Sequence, residues 1–345
     1  MSRAAILPTP CDPFQMTLWW DMFKRNAMPN LDKLYVHINS SLQEDVRKFV
    51  RKQLSKDPRV VVIEADSMIG HGEAIKQTLK KVKEDYVMLI EDDCVVFKPA
   101  FDDLFMRLET KQVDIVGSWR QSASENVAWA AQQKFHFPTC LEQFFWPNLF
   151  ITDTERLRKT DQNFGSRQFE VGEYVKELDW IVDGPVGNDT FVWASIQLRS
   201  TSPRIEWIEQ YHAQVDDPDF ERQGYRAWNG EARWVHIGSL SSMMMNFLLD
   251  DEGYPLMHRG VGTPHTNFPM PKEIEEDAGK QEIESRFAHT ILAYEYAKDR
   301  CSDIQEFVDV YGRALDKAIY AMGLQKDRIR YRVDMYRRLY GIAQS

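Results

Sequence analysis

Short apolar runs alternate with longer amphipathic runs along the first hundred residues. The short runs are rich in branched side chains and predict strands. The longer runs repeat apolar residues at helical spacing and predict helices. Strands that alternate with helices are typical of a parallel, doubly wound sheet, so we expect an α/β fold. The predicted strands are Ala4–Leu7, Leu34–Ile38, Arg59–Ile63 and Tyr86–Ile90, and the predicted helices are Phe14–Phe23 after an Asp12 cap, Leu42–Leu54 and Gly72–Val82.

Beyond residue 100 the pattern is weaker but still contains extended segments. Trp180–Asn188 is rich in Gly, Pro and Asp and predicts a loop, with a helix beginning at Asn188 or Asp189. Thr263–Pro271 contains three prolines and predicts a linker. We therefore divide the chain into an α/β domain at 1–262 and a C-terminal helical extension at 263–345. The later predicted strands are Asp114–Gly117, Phe144–Ile151, Arg204–Ile208 and Trp234–Ile237, and the later helices are Asp153–Lys159, Ile283–Lys298, Ser302–Met322 and Asp327–Ile342.

Composition excludes several classes of protein. The formal net charge of −10 argues against nucleic-acid binding through a uniformly basic surface. The four cysteines are scattered and form no CxxC pair, which argues against a disulfide framework or a structural zinc site. No apolar run approaches the roughly 20 residues that a membrane-spanning helix needs, and Met1–Pro13 is too short and too rich in proline for a signal sequence. We therefore expect a cytoplasmic protein without a transmembrane segment.

Polar or small residues follow three of the predicted strands. Thr9 follows the first strand, the segment Asp66–Gly70 follows the third, and Glu91, Asp92 and Asp93 follow the fourth. In parallel α/β sheets, ligands bind beyond the carboxyl ends of the strands. Because these ends meet at one edge of the sheet, we expect a single ligand site there.

The three acids interrupt apolar sequence on both sides. Adjacent carboxylates repel one another and resist burial. A hard divalent cation such as Mg²⁺ or Mn²⁺ removes this conflict and commonly keeps coordination positions for substrate phosphates. The simpler alternative is an acidic turn at a strand end. The position of Glu91, Asp92 and Asp93 after the fourth strand of an α/β series favours a metal and diphosphate site.

The segment YVMLIEDDCVVF, residues 86–97, resembles the DxD-type motif of GT-A glycosyltransferases. Its Glu-Asp-Asp form is similar to that of the N-acetylglucosaminyltransferase I group. Gly70–Ala74 resembles the helix-opening segment of family 2 glycosyltransferases, and AAILPTPCDPF is similar to the first strand and nucleotide-contacting loop of the same fold. The resemblance implies a Rossmann-like GT-A fold and a transferase of a hexosyl or N-acetylhexosaminyl group. It also implies Mn²⁺ or Mg²⁺ as the metal and a nucleotide sugar, expected to be a UDP-sugar, as the donor.

The resemblance implies roles for the matching positions. Asp92 and Asp93 are expected to hold the ribose and the metal, with Asp93 as the direct metal ligand. The second strand ends in Asn39 and Ser40, where many family 2 members carry an acid for the base, and this departure leaves the nucleotide open. The residues expected to contact the donor are Thr9, Asp66, Gly70, Gly72, Glu91 and Asp92, and those expected to bind the metal are Glu91, Asp93 and His236.

An acidic loop-to-helix junction lies at Asp183–Trp193. Inverting GT-A enzymes carry, in this kind of context, the acid that deprotonates the acceptor hydroxyl. We assign that role to Asp189, with Asp183 as the second choice, and we expect inversion at the sugar carbon. The alternative is that Asn188 or Asp189 only caps a helix.

Two histidines are candidates for the same site. Trp234–Ser241 resembles the late HxG segment of several GT-A families, in which the His completes the metal shell in some members. Imidazole suits Mn²⁺, so His236 is expected to bind the metal, with a structural role as the alternative. His71 lies between two glycines and could face the diphosphate, but a turn residue is the favoured interpretation.

The acceptor stays open. A glycan, a lipid-linked sugar, a protein side chain and a hydroxymethylated base in DNA are candidates, the last because the final twenty residues carry a local excess of four positive charges. A rival function is a nucleotidyltransferase, which can share the fold and its carboxylates, although no Gly-rich phosphate loop follows the first strand. A non-catalytic binding module is the third alternative. The C-terminal helices could also join two copies of the chain into a homo-oligomer.

Overall fold

The protein is described by a computed structural model. It covers residues 1–40, 42–65, 67–99, 101–121, 143–165, 167–182, 186–187, 190–208, 225–228, 231–237, 248–250, 252–253, 256 and 277–343.

A seven-stranded sheet, with strand order β12-β6-β7-β4-β1-β2-β3, organises the described residues. Neighbouring strands are parallel except at β7, which runs antiparallel to both β4 and β6. The expected α/β fold with a mostly parallel sheet is therefore confirmed. The strands are β1 (Arg3–Thr9), β2 (Lys33–Ile38), β3 (Val60–Glu64), β4 (Tyr86–Ile90), β6 (Ile115–Gln121), β7 (Gln143–Asp153) and β12 (Ile205–Ile208).

Smaller sheets lie beside the main one. A three-stranded antiparallel sheet joins β5 to β14 and β14 to β13. Two-residue strands form the pairs β8 with β11 and β9 with β10, so the prediction of a loop throughout Trp180–Asn188 was wrong in part. These strands are β5 (Cys94–Val96), β8 (Gln168–Phe169), β9 (Tyr174–Val175), β10 (Trp180–Ile181), β11 (Val186–Gly187), β13 (Tyr225–Trp228) and β14 (Glu231–His236).

Helices cover both faces of the main sheet. The predicted cap of the first helix is confirmed, because the Asp12 carboxylate accepts hydrogen bonds from the backbone N–H groups of Phe14 and Gln15. The helices are α1 (Pro13–Asn26), α2 (Glu44–Leu54), α3 (His71–Leu79), α4 (Phe101–Glu109), α5 (Thr154–Arg158), α6 (Val192–Ser200), α7 (Asp277–Ala297), α8 (Gln305–Ala321) and α9 (Lys326–Leu339).

The start of α6 corrects a prediction. The helix begins at Val192 and not at Asn188 or Asp189, and its N-cap residue is Phe191. Phe191 has a φ of 69°, so the backbone is left-handed there and a right-handed helix cannot extend past it toward the N-terminus. The buried Phe191 ring packs against Phe150 and Phe164, which holds this conformation in place.

The C-terminal helices share a hydrophobic core with the N-terminal helix. The Phe14 ring lies 4.5 Å from that of Tyr311 and 5.0 Å from that of Tyr294, centroid to centroid. All three rings line one face of the sheet, whereas α3 and α6 cover the other. The helical C-terminal region is confirmed, but the predicted boundary at 262–263 lies outside the described residues and, like the homo-oligomer, stays a prediction. Within the described ranges, no helix has the length and apolarity to cross a membrane.

Candidate metal centre

The three acids form the turn between β4 and β5. Cys94 N donates to Glu91 O at 3.1 Å, which closes a tight turn at the carboxyl end of β4. His236, at the end of β14, pairs with Cys94 across the small sheet, and the backbone N–H of Ile237 donates to Asp93 O at 2.9 Å. Strand pairing thus brings His236 to the acids from a distant part of the sequence.

Glu91, Asp93 and His236 each turn one ligand atom toward a common point. These atoms all lie within 4.8 Å of one another. His236 Nε2 is 3.4 Å from Asp93 Oδ1 and 3.6 Å from Glu91 Oε2. Asp93 and His236 are buried, and Glu91 is partly exposed. Two carboxylate oxygens and one imidazole nitrogen are a donor set that suits Mn²⁺ and can leave coordination positions for phosphate oxygens.

The electrostatics of the cluster favour a cation. Burial alone lowers the pKa of His236, but the Asp93 and Glu91 carboxylates outweigh it and raise that pKa to about 9. The two carboxylates therefore attract positive charge strongly enough to hold a proton on a buried imidazole. A divalent cation bound by the same three side chains would take the place of that proton.

Asp92 turns away from this cluster and contacts the end of β1. The Thr9 hydroxyl donates to Asp92 Oδ2 at 2.7 Å, and Thr9 Oγ1 accepts from Cys11 N at 2.9 Å. Burial and the neighbouring Asp93 raise the pKa of Asp92 well above its ordinary value, and the Thr9 hydrogen bond offsets part of that rise. Two residues expected to contact the donor, Thr9 and Asp92, are thus joined directly.

Helix α1 supports β5 and the turn formed by Glu91, Asp92 and Asp93, which we call the acidic turn. Three of its side chains donate to every second backbone carbonyl along that segment. The sequence pattern did not predict this support, although the donors recur at helical spacing on one face of α1. The bonds run from Gln15 Nε2 to Asp92 O (2.6 Å), from Trp19 Nε1 to Cys94 O (3.0 Å) and from Asn26 Nδ2 to Val96 O (2.9 Å).

The first turn of α3 lies next to the cluster of Glu91, Asp93 and His236, on the side of Glu91. His71 is the first residue of α3, with Nδ1 3.7 Å from Glu91 Oε1, so the favoured interpretation of a turn residue was wrong. A Cβ atom on Gly72 would lie 2.0 Å from Gly165 N, so packing alone requires glycine there. A Cβ on Gly70 would meet nothing within 4 Å. Donor contacts by Gly70 and Gly72 stay predictions.

The segment before α3 is fixed by Asn39 at the end of β2. Asn39 Nδ2 donates to Ile69 O at 2.7 Å, and Asn39 Oδ1 accepts from Ile69 N at 2.8 Å. Both ends of the amide are therefore used to hold the chain. Three further predicted site residues, Asp66, Asp183 and Asp189, lie outside the described residues.

Two buried polar residues near the cluster gave no signal in the sequence. Asn148 lies on β7 and His289 on α7, and both are fully buried. Among the described residues, no hydrogen-bond partner reaches the amide of Asn148 or either ring nitrogen of His289. Each is surrounded in sequence mainly by apolar residues. A single polar residue in such a segment forms no periodic pattern from which its role could be predicted.

Residues 25–171 match the family model described as Glycosyl transferase family 2. No protein of curated function matches the sequence. TarS from S. aureus is 14% identical, with a TM-score of 0.40, over 97% of this chain and 55% of that one, so this chain spans little more than half of TarS. Glucosyl-3-phosphoglycerate synthase from M. tuberculosis is 17% identical, with a TM-score of 0.37, over 64% of this chain and 77% of that one. The mannosyltransferase PcManGT from Pyrobaculum calidifontis, in complex with GDP-Man and Mn²⁺, is 14% identical, with a TM-score of 0.37, over 99% of this chain and 86% of that one.

The family match spans the acidic turn and β7 but neither Thr9 nor His236. The mostly parallel sheet, the flanking helices and the helical C-terminal region agree with the GT-A fold that the sequence resemblance implies. The closer likeness to the N-acetylglucosaminyltransferase I motif stays a prediction.

Proposed function

We propose that the protein is a metal-dependent glycosyltransferase that moves a sugar from a nucleotide-sugar donor to an acceptor hydroxyl. The observation that carries the proposal is the convergence of Glu91, Asp93 and His236 within 4.8 Å at the carboxyl end of β4. An acidic turn with only a structural role would not need a buried imidazole beside two carboxylates. The match to glycosyl transferase family 2 over the same turn supports the same conclusion.

Each group of residues has a task in this reaction. Glu91, Asp93 and His236 would hold Mn²⁺ or Mg²⁺, which supplies positive charge for the leaving diphosphate. Asp92 and Thr9 would face the nucleoside, because their hydrogen bond joins the acidic turn to the end of β1. The N-terminus of α3, with Gly70 and His71, lies where its free N–H groups can meet a phosphate.

A UDP-sugar is the proposed donor, on the resemblance of the first strand and acidic turn to GT-A enzymes. Asn39 occupies the position where many relatives of family 2 carry an acid, and its amide is already bonded to Ile69 at both ends. The base would therefore be selected by other groups, of which Asp66 is our candidate. A comparison of UDP-, GDP-, CMP- and TDP-linked sugars tests this assignment.

Asp189 is the proposed base that takes the proton from the acceptor hydroxyl, with Asp183 as the second candidate. The alternative, that Asp189 caps α6, is weakened because Phe191 is the N-cap residue. A base on the acceptor side produces inversion in a single displacement. Nuclear magnetic resonance of the product anomer tests this step, and a retained configuration would remove the role of Asp189.

The decisive experiment is a thermal-shift panel of nucleotide sugars with and without Mn²⁺. A ligand at a hundred times its dissociation constant stabilises the native state by about 2.7 kcal/mol. We expect a shift that requires Mn²⁺, disappears in Asp93→Ala and His236→Ala, and persists in Asp103→Ala, a control at an exposed acid on α4. A wild-type protein that responds to no donor would contradict the proposal. Candidate acceptors, including glycans, proteins and hydroxymethylated DNA, are then tested with the donor identified.

A further inference from the structure

Strand β7 contains a bulge of three extra residues near the carboxyl end of β4. Its pairing with β6 runs regularly from Ile115 opposite Thr152 to Gly117 opposite Phe150, and then resumes with Ser118 opposite Trp146. Residues 147–149 therefore have no counterpart on β6. Residue 147 is a proline, which has no N–H to donate and is found in sheets at bulges and edges. Bulges of this kind redirect side chains next to functional sites.

The bulge carries a buried amide that the fold itself does not use. Asn148 has no exposed surface, and no hydrogen-bond partner reaches its Nδ2 or Oδ1 within the described ranges. A buried amide that lacks hydrogen bonds destabilises the folded protein, because it gave up its bonds to water without replacing them. Such a group in a folded protein calls for an explanation, and a bound ligand that pairs with the amide is one.

The location of Asn148 indicates what that reason is. Leu149 pairs with Ile90, the last residue of β4, so Asn148 is the residue of β7 directly beyond that last pair, at the end of β4 where Glu91 follows. The sheet order runs from β1 through β4 to β7. Along the edge, the Thr9–Asp92 contact lies at β1, the proposed metal ligands follow β4, and Asn148 follows at β7.

This order matches the order of parts in a nucleotide sugar. Neighbouring strands lie about 4.8 Å apart, so the distance from β1 to β7 is roughly 10 Å. A donor with its nucleoside at β1 and its diphosphate at the metal ligands therefore extends its sugar over β7. Resting on the function proposed above, we propose that the Asn148 amide binds a hydroxyl of the transferred sugar.

The chemistry of the amide fits a sugar hydroxyl better than it fits a phosphate or a metal ion. An asparagine side chain both donates and accepts hydrogen bonds, and so does a sugar hydroxyl. A phosphate only accepts, so it would leave Oδ1 without a partner, and a metal would use Oδ1 and leave the NH₂ group without one. Neighbouring hydroxyls of a sugar can accept from Nδ2 and donate to Oδ1, which satisfies both ends of the amide.

The test compares Asn148→Leu with the wild-type protein in two measurements. Leucine has nearly the shape of asparagine and no polar atoms, so the melting temperature of the ligand-free variant should rise. Isothermal titration with Mn²⁺ and UDP should give an unchanged dissociation constant. With Mn²⁺ and UDP-glucose, UDP-N-acetylglucosamine or GDP-mannose, whichever binds the wild type most tightly, the variant should bind at least about tenfold more weakly. Asn148→Ala provides the same binding comparison if the leucine variant does not fold.

Thr152→Val is the matched control on the same strand. The Thr152 hydroxyl donates to Asp114 O at 3.0 Å, so its removal should lower the melting temperature and leave both dissociation constants unchanged. If Asn148→Leu also lowers the melting temperature, or weakens UDP and the nucleotide sugar equally, the amide has a structural role and our inference is overturned, while the proposed function stands. If the wild type binds neither ligand, the proposed function fails and this inference fails with it.

Discussion

The Tyr311 hydroxyl donates a hydrogen bond to the Asp12 carboxylate, with 2.7 Å between Oη and Oδ2. Both side chains are fully buried. Asp12 Oδ1 caps α1, so the same carboxylate joins the first helix to α8 near the other end of the chain. Burial raises the pKa of Asp12, and the hydrogen bonds from Gln15 N, Tyr311 and Phe14 N counteract that rise. The C-terminal helices thus fix the helix that supports the acidic turn.

Removal of the Tyr311 hydroxyl should destabilise the protein. In Tyr311→Phe the ring packing against Phe14 remains, but the Asp12 carboxylate loses a buried donor, which should cost about 2 kcal/mol of unfolding free energy. Urea denaturation followed by tryptophan fluorescence measures the change. Tyr320→Phe, on the same helix, is the control, because that residue is 86% exposed and its hydroxyl should contribute almost nothing. Equal stability of the two variants would contradict the structural role of the Asp12 contact.

Loss of the Gln15 amide should weaken metal binding. Gln15→Leu removes the donor to Asp92 O and leaves the acidic turn free to shift. Groups that position metal ligands typically contribute tenfold or more to metal affinity, so we expect a decrease of at least about tenfold in Mn²⁺ affinity. Titration of free Mn²⁺ by electron paramagnetic resonance measures it. Asn26→Leu removes the donor to Val96 O, further from the acids, and should reduce stability while affecting Mn²⁺ affinity less.

Substitution of alanine for two nearby glycines, Gly70 and Gly72, should have different effects on stability. In Gly72→Ala the new Cβ would overlap the backbone at Gly165, so the unfolding free energy should fall by about 2–3 kcal/mol. In Gly70→Ala the new Cβ meets nothing and φ is −59°, so the stability should change by less than about 0.5 kcal/mol. Calorimetric melting of both variants tests the pair. Nucleotide-sugar titration of Gly70→Ala then tests the proposed donor contact without a stability effect.

His289 should make the protein less stable in acid. Burial lowers the pKa of His289 to about 3, while Asp93 raises it slightly, and Tyr336 and Tyr340 pack edge-on against the ring. The unfolded histidine has a pKa near 6.5, so the unfolded state binds the proton more readily. The stabilising effect of a neutral His289 is complete above about pH 6.5 and is lost as the pH falls toward 3, at about 1.4 kcal/mol per pH unit.

The variant His289→Phe isolates this effect. Carboxylates elsewhere titrate in both proteins, so the informative quantity is the difference in unfolding free energy between variant and wild type at each pH. That difference should shift in favour of the variant between pH 6.5 and pH 4, measured by urea denaturation. A difference that is constant across this range would mean that His289 does not become protonated on unfolding.

The sequence predicted those parts of the fold that depend on neighbouring residues. Tyr86–Ile90 forms a strand with the predicted bounds because five consecutive apolar residues bury both faces, and Asp12 caps α1 because its own side chain reaches the next N–H groups. The start of α6 was wrong because tertiary packing holds Phe191 in a left-handed conformation that its residue type disfavours. Local patterns carry no information on such packing.

In the candidate site, too, the features set by neighbouring residues were predictable, and those set by tertiary packing were not. Glu91 and Asp93 flank Asp92 in the sequence and are visible as a motif, and His236 was found by the resemblance of its segment. The bulge at Asn148 depends on the register of three strands, and no residue type within β7 reports that register except Pro147. The donors on α1 were hidden because Gln15 and Asn26 look like ordinary polar positions of an amphipathic helix.

The contact between Asp12 and Tyr311 joins residues that are 299 positions apart, and this separation affects how the chain folds during its synthesis. During translation α1 leaves the ribosome before α7 and α8, so Phe14 can pack against Tyr294 and Tyr311 only after those two helices have been synthesised. The acidic turn therefore gains its full support only after α8 has left the ribosome. A nascent or truncated chain exposes the apolar face of α1, which is a surface that chaperones and proteases recognise.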